Sequence, residues 1–383
     1  MVNDTEKIVD VINSSPYMGV IAITGGGTGA IGKLLRKGGG SATLLEAVVP
    51  YSMEAWNAFI GKRPERAVPE VAARQLAMTA YLKARSLRPG PNLFGLGATS
   101  ALVKNDEREG RKHHSYIAVQ TDTLCRYFVF ELYPKDREIE ESLIDDAIIA
   151  ALAFSLDLPV YEAVHELEKY GYISTKRRHG NDQMLKLVTS DKSIYWRPFF
   201  GDTTPDVADK MPNTAIYSIS ANPLHSGHMG VLDAAEKILG IKPLYEISVT
   251  NVDKPPLDFY EIRNRMEQFN GANNLLLSNA PLFHEKSELF PDSWFIVGVD
   301  TWRRINDPQY YGGLHGLDYA LSCLFRNNAK FLVFGREVDG KFVGATDVDI
   351  ALPLHSFFMT DSVRAVPENV FRMDISSSEL RCR

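Results

Sequence analysis

From Asn213 onward, short apolar runs alternate with segments of helical periodicity, and that alternation leaves the chain little freedom of fold. Thr214–Ser220 reads as a strand. Ser226–Leu239 reads as a helix with Met229, Leu232, Ala235 and Ile238 on one face. Leu244–Thr250 and Leu257–Phe269 repeat the pattern, followed by strands at Asn274–Leu277, Trp294–Val299, Lys330–Phe334 and Val370–Asp374, with a helix at Leu314–Phe325. A strand followed by a helix and another strand builds parallel pairs. The pattern therefore predicts a doubly wound, Rossmann-like α/β sheet over residues 213–383, with ligands beyond the carboxyl ends of its strands.

The first such end carries Ser220-Ala221-Asn222-Pro223-Leu224-His225-Ser226-Gly227-His228. The free N–H groups of the helix that follows point back at this turn, and the helix dipole favours an anion there. His225 and His228 are spaced to reach the same phosphate oxygens, and Gly227 lets backbone approach closely. Two later strand ends carry further polar groups. Gly298-Val299-Asp300-Thr301-Trp302 offers a carboxylate for nucleoside hydrogen bonds and an indole for stacking. Ile375-Ser376-Ser377-Ser378-Glu379-Leu380-Arg381 offers hydroxyls, helix-start N–H groups and a guanidinium for a polyphosphate. Taken alone, each also reads as a plain turn or a serine helix cap. Lys254 and Arg265 are the basic candidates for a second phosphate, and each equally reads as a surface charge.

Residues 1–155 alternate less regularly. Strands are expected at 18–23, 44–49, 92–97, 115–119 and 125–132, and helices at 4–14, 52–60, 69–85 and 138–154, giving a separate α/β domain. After the first strand comes Thr24-Gly25-Gly26-Gly27-Thr28-Gly29, a glycine-rich turn able to cradle phosphate, although it lacks the Gly-Lys-Ser/Thr ending of nucleotide-binding loops. Residues 156–212 read as a packed connector, with a helix at 160–170, a polar stretch at 175–182 and short strands at 185–188 and 194–199. Its aromatics Tyr170, Tyr172, Tyr195, Trp196, Phe199 and Phe200 need burial.

Composition narrows the function. A net charge of −6 over 383 residues argues against nucleic acid as a partner, the basic run 108–114 reading as a solvated loop. Three scattered cysteines, Cys125, Cys323 and Cys382, suit a reducing compartment and form no zinc pattern. With no membrane-length apolar run and no signal-peptide pattern, the expectation is a cytoplasmic protein without a membrane partner.

Two resemblances sharpen this. Residues 8–153 resemble the C-terminal domain of the competence-induced (CinA) family, the nicotinamide-nucleotide amidases. The resemblance rests on Ala22–Gly29, Gly40-Ser41-Ala42, Val48–Ala55, Gly95–Thr99 and Asp136-Arg137-Glu138. It places Thr24 where the family has its nucleophilic serine and Trp56 where it has the activating lysine, which implies a degenerate amidase site. An unactivated hydroxyl is a weak nucleophile, and Lys33 or Lys104 would have to replace the missing amine. Residues 213–383 resemble the HxGH nucleotidyltransferase superfamily, through His225-Ser226-Gly227-His228 and Ile375–Arg381. Asn222-Pro223 and Gly298-x-Asp300 are similar to the nicotinamide or nicotinate mononucleotide adenylyltransferases.

The resemblances imply ATP and a mononucleotide as substrates, Mg²⁺ as cofactor, pyrophosphate release, a place in NAD biosynthesis and a homo-oligomer. In that reading His225, His228 and Arg381 are catalytic. Ser220, Asn222, Gly227, Ser376, Ser377 and Ser378 bind ATP, Lys254, Arg265, Gly298, Asp300 and Trp302 bind the acceptor, and no protein metal site is needed. Deamidation by the N-terminal domain, a non-catalytic binding or oligomerising role, and cytidylyl transfer remain alternatives.

Overall fold

The computed structural model describes residues 5–61, 69–103, 112–197, 207–251, 255–269, 274–348 and 362–372. It forms two compact units: Met1–Leu185 with Asp253–Arg263, and Lys186–Val252 with Asn264–Arg383.

The first unit holds a six-stranded sheet of β1 (Met18–Thr24), β2 (Leu44–Val48), β3 (Leu93–Ala101), β4 (His113–Thr121), β5 (Leu124–Leu132) and β6 (Gly171–His179). The order is β2-β1-β3-β4-β5-β6; β1 runs parallel to β2 and β3, and the remaining pairs are antiparallel. Alternation along β1 sorts its side chains. Ile21 and Ile23 join the core with α1 (Thr5–Asn13), α2 (Gly29–Arg36) and α5 (Arg137–Ser155), while Val20 and Ala22 face the other side. There, after the short α3 (Met53–Ile60), lies α4 (Pro69–Leu87), whose Ala73, Ala77, Ala80 and Ala84 are fully buried. A Cβ on Gly95 would stand 2.1 Å from the Tyr81 amide nitrogen, and one on Gly97 2.3 Å from the Ala73 carbonyl, so α4 rests directly on the β3 backbone.

The segment 156–212, expected as a connector, divides between the units. After α6 (Tyr161–Leu167), the polar stretch expected between elements is largely strand: β6 pairs with β5 over nine residues, from Leu132↔Gly171 to Leu124↔His179. It reads as polar because an edge strand leaves one face and one row of backbone groups in water. The strand expected at 185–188 is instead helix α7 (Asp182–Thr189), with Met184, Leu187 and Val188 buried at helical spacing. Asn181, whose Oδ1 accepts from the Met184 N–H at 2.9 Å, is its start signal. A four-residue apolar run cannot separate the two periods; the cap can.

The second unit is the doubly wound sheet. Its strands are β7 (Tyr195–Trp196), β8 (Ala215–Ser218), β9 (Leu244–Ser248), β10 (Leu275–Ser278), β11 (Trp294–Gly298), β12 (Lys330–Phe334) and, after a small β13–β14 ribbon (Arg336–Val338, Lys341–Val343), β15 (Val363–Val366). The order is β15-β12-β11-β8-β9-β10-β7, all parallel except the terminal β7. Its helices are α8 (Ser226–Leu239), α9 (Phe259–Glu267), α10 (Phe283–Leu289), α11 (Val299–Ile305) and α12 (Leu314–Arg326); the unit boundary falls within α9. Ala215, Ile296, Leu332 and Phe334 pack on the α8 side, while Ile216, Phe295, Phe331 and Val333 pack on the α10–α12 side.

The final strand departs from expectation. Val363–Val366, which was not expected as a strand, is the last described strand of the sheet, pairing Phe331↔Val363 through Phe334↔Val366. It escapes a hydropathy reading because Arg364 lies within it, its guanidinium 4.8 Å from the Trp294 ring. Phe371 packs edge-on against Phe334 at 5.2 Å, and residues 373 and 374 lie outside the described residues.

Candidate functional site

Among the six parallel strands of the second unit, β8 and β11 are the middle pair. The chain winds outward from β8 through β9 and β10, then returns to β11 on its other side and winds out through β12 and β15. The two loops leaving β8 and β11 therefore diverge, and the crevice opened at such a reversal is where doubly wound sheets bind ligands. A cleft of about 210 Å³ lies there, lined by His225, His228, Gly298, Asp300 and Arg336, with Tyr217, Phe334 and Phe371 on its apolar wall.

The histidines are placed by the start of α8. His225, in extended conformation, is its N-cap residue. Its backbone N–H donates to His228 Nδ1 at 3.2 Å, and its carbonyl accepts from the His228 N–H at 3.0 Å. The two rings lie 3.8 Å apart between centroids. Burial holds the His225 imidazole below its ordinary pKa; burial, then repulsion from His225, brings His228 down to about 4. Both shifts favour the neutral ring. Because His228 Nδ1 accepts a hydrogen bond, its neutral ring carries the proton on Nε2 and has a donor to offer there.

Asp300 stands in the first turn of α11. One of its oxygens accepts from Arg336 Nε at 2.9 Å, and Arg303 Nη1 lies 3.8 Å from the other. Both Asp300 and Arg336 are about half exposed. Gly298 lines the cleft in extended conformation, and a Cβ there would meet nothing within 4 Å. Its absent side chain is thus open cleft and not a packing requirement. Arg336 was missed by sequence reasoning. Its signal is that Gly335-Arg336 follows the carboxyl end of β12, as His225 follows β8 and Asp300 follows β11.

Other expected residues fall elsewhere. Trp302 is a correction: α11 buries Val299, Trp302 and Ile305 at helical spacing, and the indole lies fully enclosed 5.1 Å from the Phe331 ring. It is core and presents no face to a base. Arg265 donates from Nη1 to the Ser220 carbonyl at 3.0 Å, so its guanidinium braces the turn. Ser220 and Asn222 are exposed on that turn, and Gly227 is buried in the first turn of α8. Lys254, Ser376, Ser377, Ser378 and Arg381 lie outside the described residues, as does Lys104.

In the first unit, Thr24 ends β1, half-buried and opposite Thr99 of β3. Trp56, on α3, packs into a small apolar cluster with Ala22, Ile60 and Leu76. Lys33 is held by Asp146 at 2.7 Å, with Asp145 at 3.9 Å. The glycine turn is occupied from within: the Gly27 N–H donates to Glu141 Oε2 at 2.7 Å, and Asp145 lies against Gly29, where a Cβ would stand 2.2 Å from its Oδ2. Burial raises the Asp145 carboxyl to about 6 against the opposing pull of Lys33.

Among the described residues, no helix is long and apolar enough to cross a membrane. No group of three His, Cys, Asp or Glu side chains among them is placed to hold a metal ion. No protein-family model and no curated protein matches the chain. Similar solved structures include the competence/damage inducible protein CihA from Agrobacterium tumefaciens, with 20% identity, 39% of this chain and 95% of that chain covered, and a TM-score of 0.32. The competence damage-inducible protein A (ComA) from Klebsiella pneumoniae matches at 14% identity over 40% and 98%, with a TM-score of 0.31. A competence or damage-inducible protein from Enterobacter asburiae matches at 13% identity over 41% and 98%, with a TM-score of 0.33. These values are too low to bear on chemistry.

Proposed function

We propose that the second unit is a nucleotidyltransferase that moves an adenylyl group from ATP to nicotinamide or nicotinate mononucleotide, releasing pyrophosphate. The observation that carries this reading is the histidine pair at the start of α8, facing a cleft at the reversal of a doubly wound sheet. An acceptor phosphate oxygen attacks the α-phosphorus as the bond to the bridging oxygen of pyrophosphate breaks. No covalent enzyme intermediate forms, so the protein's part is positioning and charge stabilisation. His228 donates from Nε2 to the α-phosphate and His225 to a neighbouring phosphate oxygen. Gly298 leaves room for the nucleoside, and Asp300 accepts from it. Arg336 is the cation across the cleft for a second phosphate. Ser376, Ser377, Ser378 and Arg381 hold the distal phosphates, and Lys254 the acceptor, on sequence grounds alone.

Mg²⁺ enters this reading with the triphosphate. Asp300 is the one carboxylate among the described cleft-lining residues, which fits an ion that keeps its waters and rides on substrate phosphates. The first unit we read as CinA-like and non-catalytic, because Trp56 stands where an amine would be needed and Lys33 is committed to Asp146. The test is a pyrophosphate-release panel of nucleoside triphosphates against candidate acceptors with Mg²⁺. Release with ATP and a pyridine mononucleotide is expected, and ammonia from nicotinamide mononucleotide alone is not. Silence across the panel sinks the transferase reading.

A further inference from the structure

The turn that carries the histidines holds a conformation that its own residues do not favour. Ala221 is fully buried at a φ of +47°, in the left-handed region that a residue with a Cβ seldom enters. Such a backbone persists only where its surroundings over-determine it. The surroundings here are the end of α9. Gln268, one residue past that helix, donates from Nε2 to the Ala221 carbonyl at 2.8 Å and accepts at Oε1 from the Leu224 N–H at 2.7 Å. Arg265, one turn earlier, takes the Ser220 carbonyl. Gln268 is itself held in place, because Phe269 beside it is buried against Tyr245, with ring centroids 5.2 Å apart. One amide side chain thus grips both ends of Ala221–Leu224, and His225 is the next residue.

We infer that Gln268 is the positioning residue of the histidine pair, fixing the backbone from which His225 caps α8 and holds His228 Nδ1. Its two hydrogen bonds set where the His225 N–H points, and that N–H selects the His228 tautomer with the proton on Nε2. A side chain with only one polar function keeps half of the grip: a carboxylate accepts from Leu224 but gives Ala221 nothing. The inference rests on the transferase reading for its effect on rate, but its effect on the His228 tautomer does not depend on that reading.

The experiment uses the full chain labelled with ¹⁵N-histidine, comparing the unaltered protein with Gln268→Ala and Gln268→Glu. In the unaltered chain the His228 nitrogens are expected to report a single Nε2-protonated form. Gln268→Ala is expected to shift them toward a tautomer mixture and to lower the rate of pyrophosphate release about tenfold or more, since small misplacements of reacting groups are costly. The KM for ATP should move by a smaller factor. Gln268→Glu is expected to fall between the two, and it preserves side-chain size should the alanine variant fail to fold. Unchanged His228 nitrogen shifts in a folded variant overturn the inference. If the unaltered chain releases no pyrophosphate, the transferase reading falls and the nitrogen shifts still decide the role of Gln268.

Discussion

The two units each contain a parallel strand that ends in a turn and opens a helix, and the two turns have opposite fates. After β1, Gly25 and Gly27 take positive φ in a turn that could hold a phosphate, yet the Gly27 N–H donates to Glu141 of α5 and Asp145 of α5 lies against Gly29. After β8, the turn faces a cleft of about 210 Å³ lined by two imidazoles and an Asp300–Arg336 pair. The lesson is that convergent donors make an anion site only where the protein supplies no anion of its own. A carboxylate four residues from another on a facing helix is enough to fill such a turn.

This contrast can be broken most readily at the histidines. His228→Ala is expected to lower pyrophosphate release by about 10²–10³, the usual cost of removing a donor aimed at developing charge. Thr24→Ala, at the other turn, should leave that rate where it was; equal effects would mean the two turns had been misassigned. Arg336→Gln comes next. It is expected to raise the KM of the nucleotide whose phosphate it meets by about tenfold, since hydrogen bonds to charged groups contribute about 1.5–3 kcal/mol. Titrating ATP and the mononucleotide separately identifies which one, and an unchanged KM for both removes Arg336 from the site.

A smaller effect is expected at the filled turn. The Asp145 carboxyl is raised to about 6 from an ordinary value near 4, so ionising it costs the folded state stability. That cost is absent below pH 4, grows between pH 4 and 6, and is constant above. Asp145→Asn should therefore match the unaltered chain in acid and be more stable at pH 7, by about 1 kcal/mol once Lys33 and solvent screening are allowed for. Denaturant melts at pH 4 and pH 7 check this, and a loss of stability at pH 7 would show Lys33 to be the stronger influence. The smallest effect is an absence of change. With His228 down at about 4, kcat/KM should show no ionisation of this ring between pH 5.5 and 8. A ¹⁵N titration of His228 with a midpoint near 6.5 would contradict the buried, Nε2-protonated ring.

Legibility varied along the chain for physical reasons. The helix Ser226–Leu239 and the strand Lys330–Phe334 were expected at the limits the structure gives, because each is long or apolar enough for its period to stand out. The hairpin at Arg336–Val343 could have been read from Asp339-Gly340, both at positive φ, a strong two-residue turn signal. Edge strands were lost: β6 and β15 carry Lys176, Arg177, Arg178 and Arg364 because one side of each meets water. The lining of the candidate cleft was legible where it depended on local spacing, at His225, His228, Gly298 and Asp300. It was illegible at Trp302, where the facing of a seven-residue helix decides between core and cleft.

The sequence by itself determined the alternation that makes the second unit a parallel sheet, and the strand end at which its histidines stand. Both follow from periodicity and steric turn rules that act within a few residues. Only the tertiary structure decided that β8 and β11 are neighbours, so that His228, Asp300 and Arg336, more than a hundred residues apart at the extremes, share one cleft. The same holds for the glycine turn filled by Glu141 and Asp145, and for the histidine turn gripped by Gln268. Donors and acceptors this far apart in the chain are matched by the packing of elements, which no local pattern encodes.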